Sequence, residues 1–171
     1  MKFLPRAETR ALEQRLGREV ASHGEPKSIL YYKSGRRDYS AAANAIAHAA
    51  GAMSEATLLF LFSLSGDGYG EHDAHDERWR DYRRWRTAHG ETRRLYDAPG
   101  HRFEAGEAAL LSELIGFALD LGWDAVLTAT PGRQLLVLSH DDRLEIYRGF
   151  GGGALVRQLI AIDGWQRAER S

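Results

Sequence analysis

The sequence predicts a mixed α/β (α+β) fold, in which helices pack on a single mixed sheet of about five strands. Three observations lead to this prediction. A strand, a helix and an apolar strand follow one another over residues 28–64, which is the order of a right-handed β-α-β crossover. A later helix precedes three strands joined by short turns, the order of an antiparallel meander. Hydrophobic residues form 43% of the 171 residues, enough for one substantial core.

The first half of the chain contains two predicted helices and two predicted strands. Apolar residues at four-residue steps indicate an amphipathic helix over 6–20, and SILYYK at 28–33 has the composition of a strand. An alanine-rich helix is expected from Asp38 or Ser40, either of which is a plausible N-cap residue, to about Met53. Thr57 to Leu64 is apolar without alternation, which indicates a central strand covered on both faces.

The second half gives the clearest periodicity. Apolar residues at helical spacing predict a helix within 103–121, ended by Gly122, which can adopt the left-handed conformation. Pro131-Gly132 and Asp141-Asp142 are typical turn pairs, so the residues around them form the predicted meander. Its strands are Ala125–Thr130, Gln134–Ser139 and Leu144–Tyr147. A short last helix is expected after the glycine-rich residues 149–154.

Composition indicates one domain, 1–171, with a polar Arg/Trp-rich insertion at 65–102. The formal net charge of -1 gives no global attraction to nucleic acid or to an anionic membrane. The absence of cysteine excludes disulfides and thiolate metal sites, and it suits a reducing compartment. The first residues do not resemble a signal peptide, and no apolar run reaches membrane-spanning length. We therefore expect a soluble, cytoplasmic protein.

A first candidate site lies directly after the apolar strand, where ligands of open α/β sheets gather. Carboxylates with two imidazoles could bind a divalent metal or move protons. The candidate metal ligands are Asp67, His72, Asp73 and His75. Their spacing matches neither HExxH nor an EF-hand loop. The alternative is a solvated acidic cap that complements the N-terminus of the next helix.

A second candidate is the helix expected over Glu77 to His89, in which arginines surround two Trp and one Tyr. Arginine and aromatic residues are enriched in interaction hot spots, and single-stranded nucleic acid binders use them as well. The candidate partner-binding residues are Trp79, Tyr82, Arg83, Trp85, Arg86, Arg93 and Arg94. In the alternative interpretation the rings pack on the sheet and the arginines point to water.

Two further patterns indicate structure rather than chemistry. GFGGGA at 149–154 fits a dinucleotide fingerprint only superficially, because the preceding strand belongs to a meander. Ser139-His140-Asp141-Asp142 contains the residue types of a hydrolytic triad, but neighbours on one tight turn cannot converge on a single proton path. His48 lies on the alanine-rich helix, where a packed or edge histidine is the simplest interpretation.

No motif specifies a reaction, so the expected function is binding rather than catalysis. The leading hypothesis is a small protein-binding module of the inhibitor or toxin-immunity type, with another protein as partner and no cofactor. The first alternative is a metal-assisted hydrolase or nuclease that uses the acidic, histidine-containing residues and a divalent metal. The second alternative is binding of single-stranded nucleic acid through the Arg/Trp helix.

Overall fold

The computed structural model describes residues 1–33, 35, 36, 38–51, 58–62, 77–129, 134–147 and 153–168. Within these residues, five α-helices pack on one sheet of eight strands. The helices are α1 (Arg6–His23), α2 (Ser40–Gly51), α3 (Glu77–Ala88), α4 (Ala108–Leu121) and α5 (Gly153–Ala161). The strands are β1 (Lys2–Leu4), β2 (Ser28–Tyr31), β3 (Leu58–Phe62), β4 (Gly100–Phe103), β5 (Ala125–Ala129), β6 (Gln134–Ser139), β7 (Arg143–Ile146) and β8 (Gln166–Arg167). The α/β class is as the sequence predicts.

The sheet is larger and more uniform than predicted. Its strand order is β1-β4-β3-β5-β6-β7-β2-β8, and every neighbouring pair in this part of the chain is antiparallel. The predictions of about five strands and of a mixed sheet were therefore wrong. The strands that the sequence did not reveal are β1, β4 and β8, which have three, four and two residues. Such short segments carry too few side chains for an alternating pattern.

The predicted β-α-β crossover joins β2 to β3, which are not neighbours in the described sheet. The two strands point in the same direction, but β5, β6 and β7 lie between them. The connection through α2 therefore passes over three strands, and these are the strands of the antiparallel meander. Local order along the chain cannot show this, because adjacency in a sheet depends on which later strands pair with each edge.

The prediction that β3 is covered on both faces is confirmed. Phe60 belongs to the main core, which the sheet shares with residues of α2, α3, α4 and α5. Leu59 and Leu61 point to the opposite face, where they pack with Leu16 of α1. Successive side chains of a strand alternate between faces, so a strand between two layers must be apolar throughout.

The helix α4 and the meander also follow the sequence pattern. Gly122 ends α4 in the left-handed conformation, with φ 63°, and its amide bonds to the Ala118 carbonyl. The strands β5, β6 and β7 pair in sequence order. Asp142 has φ 58° in the turn before β7. The predicted Pro131-Gly132 turn and the glycines at 149–152 lie outside the described residues.

Gly100 on β4 is a position where an added methyl group has no room. A Cβ atom there would lie 2.6 Å from Thr9 Oγ1 and 3.1 Å from both Leu4 Cβ and Leu61 Cδ2. We expect Gly100→Ala to lower the free energy of unfolding by about 1–3 kcal/mol through overpacking, as measured by urea denaturation. The matched control is Gly116→Ala on α4, where the nearest atom, Ala43 Cβ, is 4.0 Å away. The control should be neutral or stabilising, because alanine is the better helix former; equal losses would contradict the close approach.

Candidate functional site

One face of α3 lies in the protein core. Trp79, Tyr82, Trp85 and Arg86 expose 4%, 0%, 9% and 3% of their surface. Their spacing of three, four and seven residues places them on one side of the helix, which faces α4. Of the two interpretations of the aromatic residues, packing is therefore the one observed. The expectation of a surface hot spot formed by these rings is wrong, because the core has removed them from solvent.

The rings of α3 pack against aromatic residues of α4 and the residue that follows its cap. The Tyr82 ring lies 5.5 Å from Phe117 and 4.8 Å from Trp123, measured between centroids. Trp79 lies 4.6 Å from Trp123. The Trp85 indole donates a hydrogen bond of 2.6 Å to the Glu113 carboxylate. These contacts explain why the aromatic stripe faces inward.

Arg86 joins α3 to the segment that follows it. Its Nη1 donates to the Tyr82 hydroxyl at 3.0 Å and to the Ala98 carbonyl at 3.1 Å. Its Nη2 donates to the carbonyls of Arg93 at 3.3 Å and Arg94 at 3.5 Å. The guanidinium carbon also lies 5.0 Å from the centroid of the Phe3 ring. The acceptors in these four hydrogen bonds are one hydroxyl and three carbonyls, so all of them are neutral. The buried guanidinium is therefore stabilised by hydrogen bonds to neutral groups.

The groups around Arg86 do not titrate near neutral pH. Tyr82 shares a hydrogen bond of 3.3 Å with Nε2 of His101, which is fully buried. Burial raises the pKa of Tyr82 to about 12. Burial, reinforced by the positive charge of Arg86, lowers the pKa of His101 well below its ordinary value. At pH 7 Tyr82 therefore keeps its proton, His101 is neutral, and the charge of this cluster is that of Arg86.

Glu91 supplies the nearby negative charge. Burial alone would raise the pKa of this carboxyl, but hydrogen bonds from Arg93, with the charges of Arg93 and Arg86, lower the pKa below its ordinary value. Arg93 binds both carboxylate oxygens, with Nε 2.9 Å from Oε1 and Nη2 2.6 Å from Oε2. Glu91 is therefore an anion at neutral pH, fixed in a bidentate pair.

These residues surround a cavity of about 310 Å³ between α3 and the segment after it. We call it the arginine cavity. Six of the seven predicted partner-binding residues line it, all except Trp85. The complete lining is Trp79, Tyr82, Arg83, Arg86, Thr87, Glu91, Thr92, Arg93, Arg94, Leu95 and Tyr96. Four arginines thus face one carboxylate, so the lining is strongly basic.

The mouth of the arginine cavity is exposed and its floor is buried. Arg83, Arg93 and Arg94 are exposed, whereas Tyr82 and Arg86 are buried. Tyr96 exposes 46% of its surface, and the Arg6 guanidinium carbon lies 3.3 Å from the centroid of its ring. The stacked pair adds another cation beside the lining, and the Asp97 carboxylate adds a negative charge that acts on both Arg6 and Arg93. An anion entering the cavity would move from a hydrated basic rim toward a buried positive charge.

Sequence reasoning missed the wall formed by Thr87, Glu91, Thr92, Leu95 and Tyr96. Gly90 ends α3 with φ 82°, and the Glu91 amide bonds back to the Arg86 carbonyl at 2.9 Å. The chain therefore turns against the helix that it has just left. Gly90 could be recognised in the sequence as the end of the helix. The residues next to it do not show in which direction the chain continues, because that depends on contacts with distant segments.

A second, wider groove of about 580 Å³ has the opposite charge. Residues of α2 and α4 line it together with Trp85, and its carboxylates are Asp38, Glu113 and Asp120. No arginine or lysine is among its described lining residues. The two concave surfaces next to α3 would thus attract ligands of different sign, and an acidic ligand would prefer the arginine cavity.

The proposed metal ligands Asp67, His72, Asp73 and His75 lie outside the described residues. Within the part of the chain that is described, no group of three or more His, Asp or Glu side chains is arranged to hold a metal ion. The metal hydrolase hypothesis therefore stays a prediction. In the same described part, no helix has the length and apolar character needed to cross a membrane.

The Ser139–Asp142 turn carries a surface ion pair instead of a triad. His140 Nδ1 lies 2.8 Å from Asp124 Oδ2, and its Nε2 lies 3.4 Å from Asp141 Oδ1. The Ser139 hydroxyl accepts a hydrogen bond from the Asp141 amide. The hydrogen bond that protonated His140 donates to Asp124, with the charges of Asp124 and Asp141, raises the pKa of His140.

We expect Asp124→Asn to lower the pKa of His140 toward its ordinary value, as measured by an NMR pH titration of the ring protons. Because the folded pKa is raised, this pair contributes stability below the unfolded pKa, near pH 6.5, and loses it as pH rises through the folded pKa. Asp163→Asn, a change of an exposed carboxylate on another segment, is the control. An unchanged His140 pKa in Asp124→Asn would contradict the assignment.

Comparison of the chain with protein-family models, with curated proteins and with solved structures gives no match in any of the three. The function must therefore be inferred from the charge, burial and shape of the described site.

Proposed function

We propose that the chain is a protein-binding module that recognises an acidic segment of its partner through the arginine cavity. One observation carries the proposal: the four arginines among the predicted binding residues line a single cavity, in which the one lining carboxylate is Glu91. Arginine is the cation that best matches carboxylate and phosphate geometry, and it is enriched where proteins bind one another. A module that blocks its partner in this way would be an inhibitor or an immunity-type protein.

The arginine cavity favours binding over proton transfer. General acid-base catalysis needs a group whose pKa lies near the working pH. In the cavity, the pKa of Tyr82 is raised to about 12, and the pKa of Glu91 is lowered. Neither described group would exchange protons efficiently at pH 7. Fixed charges of this kind attract and orient a ligand instead.

A protein partner also fits the burial of the aromatic residues better than a nucleic acid does. Single-stranded nucleic acids stack their bases on exposed ring faces. Trp79 and Trp85 expose only 4% and 9% of their surface, and Tyr82 exposes none. The net charge of -1 provides no general attraction to a polyanion, so the basic surface is local. An acidic segment of a protein requires only such a local surface.

The test is affinity capture of a partner from extract of the cytoplasm, the compartment proposed for the chain, with charge-reversal variants. Arg83→Glu with Arg94→Glu alters the mouth of the cavity. Arg80→Glu with Arg84→Glu is the matched control, because both residues are exposed on α3 and neither lines the cavity. Both double variants change the net charge equally. We expect a partner held by the wild type and the control, lost from the cavity variant and released as salt is raised.

Two outcomes contradict the proposal. A partner retained equally by all three proteins would show that binding uses another surface. If no partner is captured by the wild type, while size-exclusion chromatography shows that the protein is folded and monodisperse, binding to a protein is rejected as the function.

A further inference from the structure

We infer that Arg93 is the residue that binds a carboxylate of the partner's acidic segment, through the end of a guanidinium that Glu91 already holds in place. The inference rests on the proposed function, because it assigns the contact residue of the same site. It depends on the hydrogen bonds of Arg93, on the charges that act on it and on the bonds of the other arginines in the cavity.

Both the main chain and the side chain of Arg93 are fixed by neighbouring residues. The carboxylate of Glu91, a residue that exposes 5% of its surface, accepts hydrogen bonds from the Arg93 amide at 2.8 Å, from Nε at 2.9 Å and from Nη2 at 2.6 Å. The Arg93 carbonyl accepts a hydrogen bond of 3.3 Å from Arg86 Nη2. An arginine side chain normally loses rotational freedom when it binds a ligand, whereas folding has already restricted this one. The guanidinium is therefore preorganised.

The bonds to Glu91 leave one end of the Arg93 guanidinium open. A guanidinium has five N–H donors in a fixed geometry, and Glu91 occupies the side formed by Nε and Nη2. Among the described contacts of Arg93, Nη1 donates no hydrogen bond. Nη1 and the second N–H of Nη2 together match the two oxygens of a carboxylate. Because Arg93 lines the arginine cavity and exposes 45% of its side chain, a partner carboxylate can bind there while Glu91 stays in place.

The charges around Arg93 favour one added anion. The carboxylates that act on Arg93 are those of Glu91 and Asp97. Arg86 offsets the charge of Glu91, and Asp97 also acts on Arg6. The positive charges of this group are those of Arg6, Arg10, Arg86 and Arg93. They outnumber the two negative charges even when Arg83 and Arg94 are left out, so a carboxylate of the partner meets a positive surface.

The other arginines of the cavity do not offer the same combination. Arg86 exposes 3% of its surface, and its two Nη atoms bind one hydroxyl and three carbonyls. It supplies a buried charge rather than a contact. Arg83 and Arg94 each take part in further interactions. Within the described lining, a fixed orientation and open donors are found together at Arg93.

Isothermal titration calorimetry with the full chain tests the inference. The probe is a glutamate-rich peptide with blocked termini, and the same peptide with glutamine in place of glutamate is its control. We expect saturable one-to-one binding of the glutamate peptide only. Arg93→Lys keeps the charge but loses the end of the fork, so it should weaken binding by about fivefold or more. Arg80→Lys should leave binding unchanged, because Arg80 is exposed on α3 and does not line the cavity.

An NMR measurement on the wild type requires no substitution and decides the matter if Arg93→Lys is unstable. Saturation with the glutamate peptide should slow the exchange of the Arg93 Nη1 protons with solvent, because the carboxylate covers them. The Arg93 Nε proton should exchange no faster than before, since its bond of 2.9 Å to Glu91 remains. The Nη protons of Arg80 should show no change.

Three results would overturn the inference. These are no saturable binding of the glutamate peptide, equal affinity of the wild type and Arg93→Lys, and unchanged exchange of the Arg93 Nη1 protons at saturation. Failure of the proposed function is separate, since partner capture uses no peptide probe and alters Arg83 and Arg94. A partner lost from that charge-reversal variant, with equal peptide binding by Arg93→Lys, would keep the acidic partner and reject only the role of Arg93.

Discussion

Replacing Tyr82 with alanine should lower the free energy of unfolding by about 4 kcal/mol, the largest loss expected from a single change in α3. The side chain is fully buried and contacts the rings of Trp85, Phe117 and Trp123. Its removal leaves a cavity between α3 and α4 and deprives Arg86 of a hydrogen-bond acceptor. Urea denaturation followed by circular dichroism measures the change.

Tyr82→Phe separates the ring from the hydroxyl. It keeps the packing but removes the group that joins Arg86 to His101, so we expect a loss of about 1–2 kcal/mol. Arg83→Ala is the control, since the neighbouring residue is exposed and should change stability by about 0.5 kcal/mol or less. A Tyr82→Ala protein as stable as Arg83→Ala would show that α3 does not pack as described.

Replacing Arg86 with methionine should cost about 3 kcal/mol in the free energy of unfolding. Methionine fills the apolar part of the site but makes none of the four hydrogen bonds to Tyr82, Arg93, Arg94 and Ala98. The carbonyls left behind are partly buried, and buried Glu91 loses one of the positive charges that favour its ionised form. Thermal and urea denaturation at pH 7 measure the effect.

Arg84→Met is the matched control on the same helix. Arg84 exposes 71% of its side chain and pairs with Asp81 in an i, i+3 salt bridge, so its replacement should cost about 0.5 kcal/mol or less. Arg86→Lys should fall between the two, because lysine keeps the charge but cannot bridge several carbonyls with a fork. Equal stability of Arg86→Met and Arg84→Met would contradict the role assigned to Arg86.

The extent of α3 could be predicted from the sequence, but the direction of its aromatic face could not. The predicted helix of Glu77 to His89 differs by one residue from Glu77–Ala88, because periodicity and Gly90 act locally. An inward and an outward stripe have the same spacing, however. Phe117 on α4 and Trp123 just after α4 pack against α3, and these contacts place the stripe on the inner side. Contacts between distant segments have no local signal.

The strand β4 could not be predicted because Phe103 is the one large apolar side chain among its three buried residues. His101 is fully buried, and Gly100 is packed too closely for any side chain. A histidine can occupy such a position when its pKa is lowered enough to keep it neutral. Hydrophobic alternation is the usual signal of a strand, and this segment does not have it.

The composition of the candidate site was visible in the sequence, whereas its concave shape was not. The prediction of partner-binding residues was based on arginine and aromatic content, and six of the predicted residues line the arginine cavity. The cavity itself depends on the reversal of the chain after Gly90 and on hydrogen bonds from Arg86 to backbone carbonyls. Backbone acceptors are present at every residue, so no side-chain pattern reveals which of them a buried arginine will use.

Side-chain NMR of the arginine Nε–H groups tests the arginine cavity most directly. The labelled protein is titrated with a glutamate-rich acidic peptide. The signals of Arg83, Arg86, Arg93 and Arg94 should shift together and saturate, while those of Arg80 and Arg84, which lie outside the lining, should stay in place. Equal shifts at all exposed arginines, or shifts confined to Arg80 and Arg84, would contradict a binding site in the cavity.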